Sequence, residues 1–558
     1  MFQKELLEGL EEATKSYEAE LRHILDRSAE ARREHITISG LPVKPLYTPV
    51  DVAGTEFLKD ISFPGQYPCT RGVFAAGYLS RSLHIRQVTG IGTAEETNKR
   101  WKFLLSQGAN ALAVVGLRGR GPDADDERME GFVGKDEVVA DTLYDYETLF
   151  DGIDLKQYPI HLITPHAFAL ACFIAAAEKQ GIEPRDLKGS MSNAIRPEQE
   201  CLDIMEYCAR NMPLFNAGYL DMRNAREAGC TAAQEIGFGI ALAMAAADEM
   251  RRRGLGIDDF LHRITWFVNS GPEFFEEAAK FRAMRKLWAR TFHERYGAQD
   301  PRSLMARMHC QTFAPTLTRE QPFNNLIRST LYALAAIMGG VQSLHVNSFD
   351  EAFAIPTEFS ALLSVRTQQI IDLETGITSV VDPLGGSYYL EWLTNKLEEQ
   401  AQGLIDSIQS RGGALNLKTY EWMKGEIRKE AMRWQKEFDE GRRLLVGVNT
   451  LVAEDDIQLR ALKALQEHAD FEALYEYDPS IKDKQIARLN KVRRERDSDK
   501  LNKAMMRLTD ALKASENIMP PLIEAVKCYM SQGEWVRLEA EATGQQPLYL
   551  RDANCRLA

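Results

Sequence analysis

The sequence contains no run of apolar residues as long as the roughly 18–20 that a membrane-spanning helix needs. It also has no excess of basic charge: the net charge is −13, which argues against a general nucleic-acid-binding protein. The first residues, MFQKELLEGLEEATKSYEAEL, lack the basic start and apolar core of a signal peptide. We therefore expect a protein without a membrane or nucleic-acid partner.

The eight cysteines include no CxxC pair, so neither a disulfide framework nor a metal cluster is indicated. Cys172 and Cys528 stand in apolar surroundings, where cysteine usually serves as a small core residue. We expect a cytoplasmic protein with no metal bound by its own residues. Charged residues make up 27% and apolar residues 44% of the chain, which is typical of a globular protein with a sizeable core.

Short apolar runs alternate with longer amphipathic segments across residues 84–348. The segments between the runs, such as TAEETNKRWKFLLSQG, have the length and the apolar spacing of helices. Eight strand–helix units predict an α/β protein built as a (β/α)8 TIM barrel, with a doubly wound open sheet as the alternative. The eight candidate strands are HIRQVTG (84–90), ALAVVGL (111–117), IHLITPH (160–166), GSMSN (189–193), LFNAGYLDM (214–222), RITWFVNSG (263–271), ARMHCQT (306–312) and VQSLHVNS (341–348).

The flanking segments have a different character. Residues 1–48 are predicted to be an N-terminal arm, with a long polar helix over 3–34 and then a proline-rich extended stretch. Residues 49–360 would form the barrel and residues 361–558 a helical C-terminal region. Its charged run RLNKVRRERDSDK is expected to be a solvated helix face. Helices are predicted at 358–372, 388–412, 416–440 and 482–532.

The segment from Ala306 to Ala361 is the most informative part of the chain. Two apolar strands end in polar residues, HCQT and HVNSFDE, and one amphipathic helix joins them. Because a barrel places its chemistry at the carboxyl ends of its strands, these polar residues are candidates for an active site.

Several blocks of this chain closely resemble the large subunit of the methylmalonyl-CoA mutase family over about residues 45–535. The layout is closest to the stand-alone large subunits of isobutyryl-CoA and 2-hydroxyisobutyryl-CoA mutases. A fused cobalamin domain would carry a DxHxxG motif, and this sequence has none. The matching blocks are TRG, IRQVTGIGTAEETN, HCQTFAPTLTREQPFNN, QSLHVNSFDEA, IPTEFSA and VVDPLGGSYY.

The resemblance implies a radical carbon-skeleton rearrangement of an acyl-CoA. In that chemistry adenosylcobalamin supplies the hard step, and the protein supplies orientation and exclusion of solvent. The cofactor would be held mainly by a separate small cobalamin-binding subunit. The resemblance further implies a heterotetramer of two large and two small subunits, and it makes a G-protein chaperone a candidate partner.

The resemblance also assigns roles to individual residues. Amide and carboxyl groups at strand ends suit the hydroxyls of an adenosyl group, and arginine gives forked, charge-assisted bonds to the phosphates of CoA. The implied catalytic residues are Asn224, His309 and Gln311, and the implied cofactor contacts are Gly90, Gln311, Asn347 and Glu351. The implied CoA contacts are Arg81, Arg86, Arg263 and Ser343, and the acyl pocket would contain Val88, Arg118, Arg120 and Arg223.

Four departures from the family pattern bear on the substrate. Arg223 and Asn224 stand where the family has a Tyr-His pair, and Val88 replaces an aromatic residue. The segment at 192–197 is shorter than the family loop whose arginine holds the carboxylate of methylmalonyl-CoA. Arg196 lies in it, but the resemblance does not assign that role to Arg196. The family's FDxPT block is replaced by GLRGRGPDADD, which introduces Arg118 and Arg120.

These departures leave two main interpretations. In the first, the chain rearranges an acyl-CoA other than methylmalonyl-CoA. In the second, it is a catalytically silent or repurposed paralogue that binds CoA esters or a partner. A barrel enzyme without cobalamin is a third interpretation.

We expect Arg223 and Asn224 to be adjacent on the fifth strand, so that Asn224 faces the pocket and Arg223 points away. A twist or bulge there would reverse the two and make Arg223 the anchor of an anionic acyl group.

Overall fold

The computed structural model describes residues 4–27, 35–117, 121–135, 137–193, 195, 198–468 and 472–544. These residues form a mixed α/β fold, as the strand–helix alternation predicts. Arg118 and Arg120 lie outside the described residues, so their predicted place in the acyl pocket stays a prediction.

The described strands form one antiparallel pair and two parallel sheets. β1 pairs with β2, and the two five-stranded sheets have the orders β3-β12-β11-β10-β9 and β4-β5-β6-β7-β8. Each of the eight predicted runs contains a strand of these two sheets. The strands are β1 (His35–Ile36), β2 (Pro42–Val43), β3 (His84–Ile85), β4 (Val88–Thr89), β5 (Leu112–Val115), β6 (Ile160–Ile163), β7 (Gly189–Met191), β8 (Phe215–Asn216), β9 (Gly218–Asp221), β10 (Ile264–Ser270), β11 (Arg307–Thr312) and β12 (Ser343–His345).

At two places the chain passes directly from a strand of one parallel sheet to a strand of the other. Only Arg86 and Gln87 separate β3 from β4, and only Ala217 separates β8 from β9. Each sheet therefore continues along the chain into the other at both of its ends.

Helices make up most of the remaining described chain. Several begin with capping boxes: Thr93 and Glu96 at α2, and Thr231 and Gln234 at α7, satisfy backbone N–H groups that lack a partner in the first turn. The helices are α1 (Lys4–Arg27), α2 (Ala94–Ser106), α3 (Leu143–Leu149), α4 (Ala167–Lys179), α5 (Gln199–Asn211), α6 (Arg223–Glu227), α7 (Ala232–Arg252), α8 (Ile257–Phe260), α9 (Phe274–Arg290), α10 (Asn324–Met338), α11 (Glu358–Leu373), α12 (Tyr388–Ser410), α13 (Leu417–Asp439), α14 (Ile457–His468), α15 (Ile481–Glu495), α16 (Ser498–Ala514), α17 (Met519–Lys527) and α18 (Gln532–Thr543).

The predicted helices after residue 357 are largely confirmed. The helices α11, α12 and α13 match three of the predicted segments within a few residues. The segment 482–532 is three helices, α15 to α17, because the chain leaves the helical conformation near Asp497 and Ser515. Apolar residues of α16, α17 and α18 pack in one cluster with the sheet β4–β8, and α7, α9 and α12 pack in a second cluster with β9–β12.

Several strands of the two sheets have one apolar face and one face that carries polar side chains. In β11, Met308 and Cys310 are buried in the apolar cluster, whereas Arg307, His309 and Gln311 alternate with them on the other face. The interior of an ordinary barrel is filled by branched apolar side chains. A polar inner face is instead suited to holding a polar ligand between the sheets.

No helix within the described ranges is long and apolar enough to cross a membrane. The same residues contain no group of three or more His, Cys, Asp or Glu side chains arranged to hold a metal ion.

Candidate active site

A cavity of about 670 Å³ opens at the amino ends of the parallel strands. Its wall includes Arg81, Arg86, Lys188 and Arg307. Within the part of the chain that the structure describes, none of these four cations forms an ion pair with a carboxylate. We call this space the amino-side cavity.

Positive charge is concentrated around this cavity. Burial, followed by the nearby charges of Arg263, Arg302 and Arg81, lowers the pKa of the Arg307 guanidinium to about 10. Burial also lowers the pKa of Arg86 to about 10. Arginines that repel one another without a carboxylate between them are suited to an anionic ligand, and phosphate is the group that their forked donors match best.

Four rings from both parallel sheets contact one another, and two of them, Tyr219 and His309, line the amino-side cavity. We call His161, Tyr219, Phe267 and His309 the ring layer. Ring centroids are 5.1 Å apart for His161 and Tyr219, 5.0 Å for Phe267 and His309, and 6.3 Å for His161 and His309. Burial and the charge of Arg86 hold the pKa values of both histidines well below their ordinary value, so both imidazoles are neutral.

The serines of neighbouring strands orient these histidines. His309 Nδ1 is 2.8 Å from Ser343 Oγ, and His161 Nδ1 is 2.7 Å from Ser190 Oγ. His309 Nε2 is buried and has no hydrogen-bond partner among the described groups. The imidazole therefore presents one free nitrogen toward the interior.

A second polar group lies at the carboxyl ends of β11 and β12. Gln311 Nε2 donates to Asn347 Oδ1 at 2.8 Å, and Asn347 Nδ2 donates to the Thr312 carbonyl at 2.7 Å. Burial, followed by the charges of Asp350 and Glu227, raises the pKa of Glu351 to about 7. These groups offer hydrogen-bond acceptors and a carboxyl that changes charge near neutral pH.

The placement of Arg223 and Asn224 on the fifth strand is wrong. The strand β9 ends at Asp221, and both residues lie in the first turn of α6. The Asp221 carboxylate accepts hydrogen bonds from the Asn224 backbone N–H (3.4 Å) and side-chain amide (2.9 Å), which starts a helix in place of further strand. The two side chains therefore do not point to opposite faces.

Arg223 and Asn224 in fact contact each other. Arg223 Nη2 donates to Asn224 Oδ1 at 2.6 Å, and the guanidinium lies 5.1 Å from the centroid of the Phe267 ring. Burial, followed by the charge of Arg223, lowers the pKa of His345 to about 3, and the same charge opposes the rise in the pKa of Glu351. Arg223 thus faces the polar group at the carboxyl end, while the Asn224 amide is held by Asp221 and Arg223.

A buried network, which the sequence did not reveal, holds Arg223 in place. Arg223 Nη1 donates to Glu227 Oε2 at 3.0 Å, and Asn269 Nδ2 donates to Glu227 Oε1 at 3.1 Å. Lys280 Nζ in turn donates to the Asn269 carbonyl at 2.6 Å and pairs with Glu235 at 2.8 Å. Side chains of the surrounding helices therefore hold the Arg223 guanidinium in place through this network.

The remaining predicted residues lie around the same interior. Arg81, Arg86 and Ser343 line the amino-side cavity, whereas Arg263 stands beside its mouth without lining it. The Val88 backbone N–H donates to His345 Nδ1 at 3.0 Å, so the imidazole proton of His345 is on Nε2. Gly90 has φ +151°, and a Cβ there would collide with the Val115 carbonyl.

Sequence reasoning missed several polar side chains of the interior: Arg307, Tyr219, His161 and Lys188. The period of two along a strand could have found Arg307, because it lies two residues before His309 on the same face. Lys188 directly precedes β7 and could not be distinguished from a surface lysine.

Comparison with known proteins agrees with these features. Residues 36–545 match the family model of methylmalonyl-CoA mutase. The 2-hydroxyisobutanoyl-CoA mutase large subunit of Aquincola tertiaricarbonis is 36% identical over 551 residues, which cover 94% of this chain and 95% of that protein. The methylmalonyl-CoA mutase of Rhizobium meliloti (strain 1021) is 36% identical over 554 residues, 96% of this chain and 76% of that protein.

The methylmalonyl-CoA mutase of Escherichia coli (strain K12) is similar to the same degree, with 36% identity over 520 residues, 90% of this chain and 71% of that protein. The family resemblance inferred from the sequence blocks is confirmed. The chain belongs to the methylmalonyl-CoA mutase family, a family of isomerases of the intramolecular transferase class.

Proposed function

We propose that this chain is the substrate-binding large subunit of an adenosylcobalamin-dependent acyl-CoA mutase. The observation that carries the proposal is the arrangement of charge. Arg81, Arg86, Lys188 and Arg307, which form no ion pair within the described residues, line the amino-side cavity. The amides of Gln311 and Asn347 lie at the opposite ends of the same strands. A ligand with phosphates at one end and a neutral reacting group at the other suits this order.

The proposal includes one closed (β/α)8 barrel over residues 49–360, with an N-terminal arm at 1–48 and a helical region at 361–558. The two parallel sheets continue into each other at both ends, which supports closure. The acyl-CoA would enter at the amino ends of the strands. Arg81, Arg263 and Arg307 would hold its phosphates. Arg86, Ser343 and His309 would contact the arm that leads inward.

The residues at the carboxyl ends of the strands fit an adenosyl group. Glu351 has no hydrogen bond or ion pair from its carboxyl group within the described chain, and the side-chain amide oxygen of Gln311 also accepts no hydrogen bond there. Both can accept hydrogen bonds from ribose hydroxyls. Gln311, Asn347 and Glu351 would hold this part of adenosylcobalamin, and Gly90 would leave room for it. When bound, adenosylcobalamin supplies the radical that removes and returns the substrate hydrogen.

The chain's own residues orient the substrate and exclude water. His309 would keep its free nitrogen toward the ligand as a neutral imidazole, because Ser343 fixes the ring. The Asn224 amide hydrogens remain directed at Asp221, so Asn224 would act mainly by fixing Arg223. Arg223 and Val88 would shape the acyl pocket. Because Val88 replaces an aromatic residue of the family, the pocket favours an acyl group other than methylmalonyl.

The relative named a large subunit supports a small cobalamin-binding partner for this chain. We propose a cytoplasmic heterotetramer of two large and two small subunits, with a G-protein chaperone as an additional partner.

Reconstitution tests the proposal. The purified chain, a small cobalamin-binding subunit of the family and adenosylcobalamin are incubated with a panel of branched and linear acyl-CoAs, and products are separated by chromatography. Turnover that requires all three components is expected. Binding of CoA esters without turnover of any of them would favour a catalytically silent paralogue. Turnover without adenosylcobalamin would favour a barrel enzyme that does not use cobalamin.

A further inference from the structure

The inner end of the amino-side cavity has three polar groups that the protein itself leaves without partners. They are the Tyr219 hydroxyl, His309 Nε2 and Arg86 Nε, each buried and without a hydrogen bond among the described groups. Tyr219 and His309 are 1% and 5% exposed, and all three residues line the cavity. An unpartnered buried donor or acceptor costs about 1–3 kcal/mol, so three such polar groups at one place point to a ligand.

The ring layer holds Tyr219 in one position. Its ring lies 5.1 Å from the centroid of His161 and 5.8 Å from that of Phe267. His161 is itself fixed through both nitrogens, by Ser190 (2.7 Å) and Ser192 (3.2 Å). The packing therefore fixes the position of the Tyr219 hydroxyl oxygen. The Ser192 hydroxyl, which contacts His161, is near enough to influence the pKa of Tyr219, but it forms no regular hydrogen bond with the Tyr219 hydroxyl.

The chemistry of the three groups selects the ligand atom. Arg86 has only donors, and a tyrosine hydroxyl that stays protonated donates as well. Burial raises the pKa of Tyr219 well above its ordinary value, so the hydroxyl keeps its proton. The common partner of these donors is an oxygen acceptor that needs no negative charge, which a carbonyl provides.

The position selects the part of the ligand. The cations at the cavity mouth are placed for phosphates, and an acyl-pantetheine arm continues inward from them. This arm carries two amide carbonyls and one thioester carbonyl. We propose that Tyr219 is a substrate-binding residue whose hydroxyl, together with Arg86, donates hydrogen bonds to a carbonyl oxygen of the acyl-pantetheine arm. The inference rests on the proposed binding of acyl-CoA.

Replacement of Tyr219 by phenylalanine removes only the hydroxyl and keeps the ring. The matched control is Tyr146→Phe, because the Tyr146 hydroxyl is also buried and without a partner among the described groups but lies in α3, away from the cavity. The purified full-length proteins are titrated by calorimetry with isobutyryl-CoA, with free CoA and with the thioether S-isobutyl-CoA. Thermal unfolding checks that both variants fold.

We expect Tyr219→Phe to bind isobutyryl-CoA about 3- to 10-fold more weakly than the wild type, the effect of one hydrogen bond. The Tyr146→Phe variant should bind it like the wild type. A loss confined to the thioester identifies the thioester carbonyl, and an equal loss for all three ligands identifies an amide carbonyl. Both variants should unfold at or above the wild-type temperature.

Equal affinity of Tyr219→Phe and wild type for all three ligands would overturn the inference while leaving the proposed function intact. The same holds if Tyr146→Phe loses as much affinity as Tyr219→Phe. A clearly lower unfolding temperature for Tyr219→Phe would show that the hydroxyl has a structural partner, and would also overturn it. Wild-type protein that binds none of the three ligands would refute the proposed function itself.

Discussion

Replacement of Arg86 by methionine should stabilise the free protein and weaken its binding of CoA. The Arg86 guanidinium lines the amino-side cavity and forms no ion pair within the described residues. Burial lowers its pKa to about 10. Since each pKa unit corresponds to about 1.4 kcal/mol, keeping Arg86 charged at this site costs up to roughly 3 kcal/mol of folding free energy.

Methionine removes that charge without leaving a partner group unsatisfied. We expect the free energy of unfolding to rise by about 1–3 kcal/mol and the affinity for CoA to fall by one to two decades, the loss of a charge-assisted bond of about 1.5–3 kcal/mol. The unfolding temperature at a fixed scan rate reports the first effect, and titration calorimetry with free CoA reports the second.

Arg282 provides the matched control for stability. It is as deeply buried as any arginine in the described chain, but it pairs with the carboxylates of Asp382 and Glu391. Arg282→Met leaves the Glu391 carboxylate buried without its cation, while Asp382 keeps Arg71 at 2.9 Å. We expect this variant to be less stable by about 3–5 kcal/mol. If Arg86→Met also lowers the unfolding temperature, Arg86 has a structural partner. If it leaves the CoA affinity unchanged, Arg86 does not belong to the CoA site.

Three further outcomes are expected. Burial raises the pKa of Glu351 to about 7, whereas the unfolded carboxyl ionises near pH ~4.3. Between these pH values only the unfolded state loses the proton, so the folded state becomes less stable as pH rises. Glu351→Gln should therefore stabilise the protein by about 1–3 kcal/mol at pH 8 and little at pH 5, and equal effects at both pH values would contradict this assignment. The isolated chain should not bind cobalamin tightly, since it has no DxHxxG motif, and a stoichiometric cobalamin absorption spectrum of the purified chain would refute this. Methylmalonyl-CoA should be a poor substrate of the reconstituted enzyme, because Val88 and the short loop at 192–197 remove two family recognition elements; efficient formation of succinyl-CoA would show that another arginine holds the carboxylate.

The amino-acid sequence by itself determined where the parallel strands lie and which family the chain belongs to. Apolar runs of strand length between amphipathic segments are local patterns, and each run contains an observed strand. The period of two also gave the shared face of His309 and Gln311, since alternation along a regular strand does not depend on distant residues. The capping residues at the starts of α2 and α7 are equally local.

Only the tertiary structure decided which polar side chains in the interior contact one another. Arg223 and Asn224 follow an apolar run and were expected on a strand, but they lie in the first turn of α6. There the Asp221 carboxylate accepts hydrogen bonds from Asn224, and Glu227, itself bonded by Asn269, holds the arginine. Likewise, His161 and His309 are 148 residues apart in the chain, yet their rings lie 6.3 Å apart because the two sheets face each other. Which buried donors keep a partner and which remain free for a ligand depends on such distant contacts, and no local pattern encodes them.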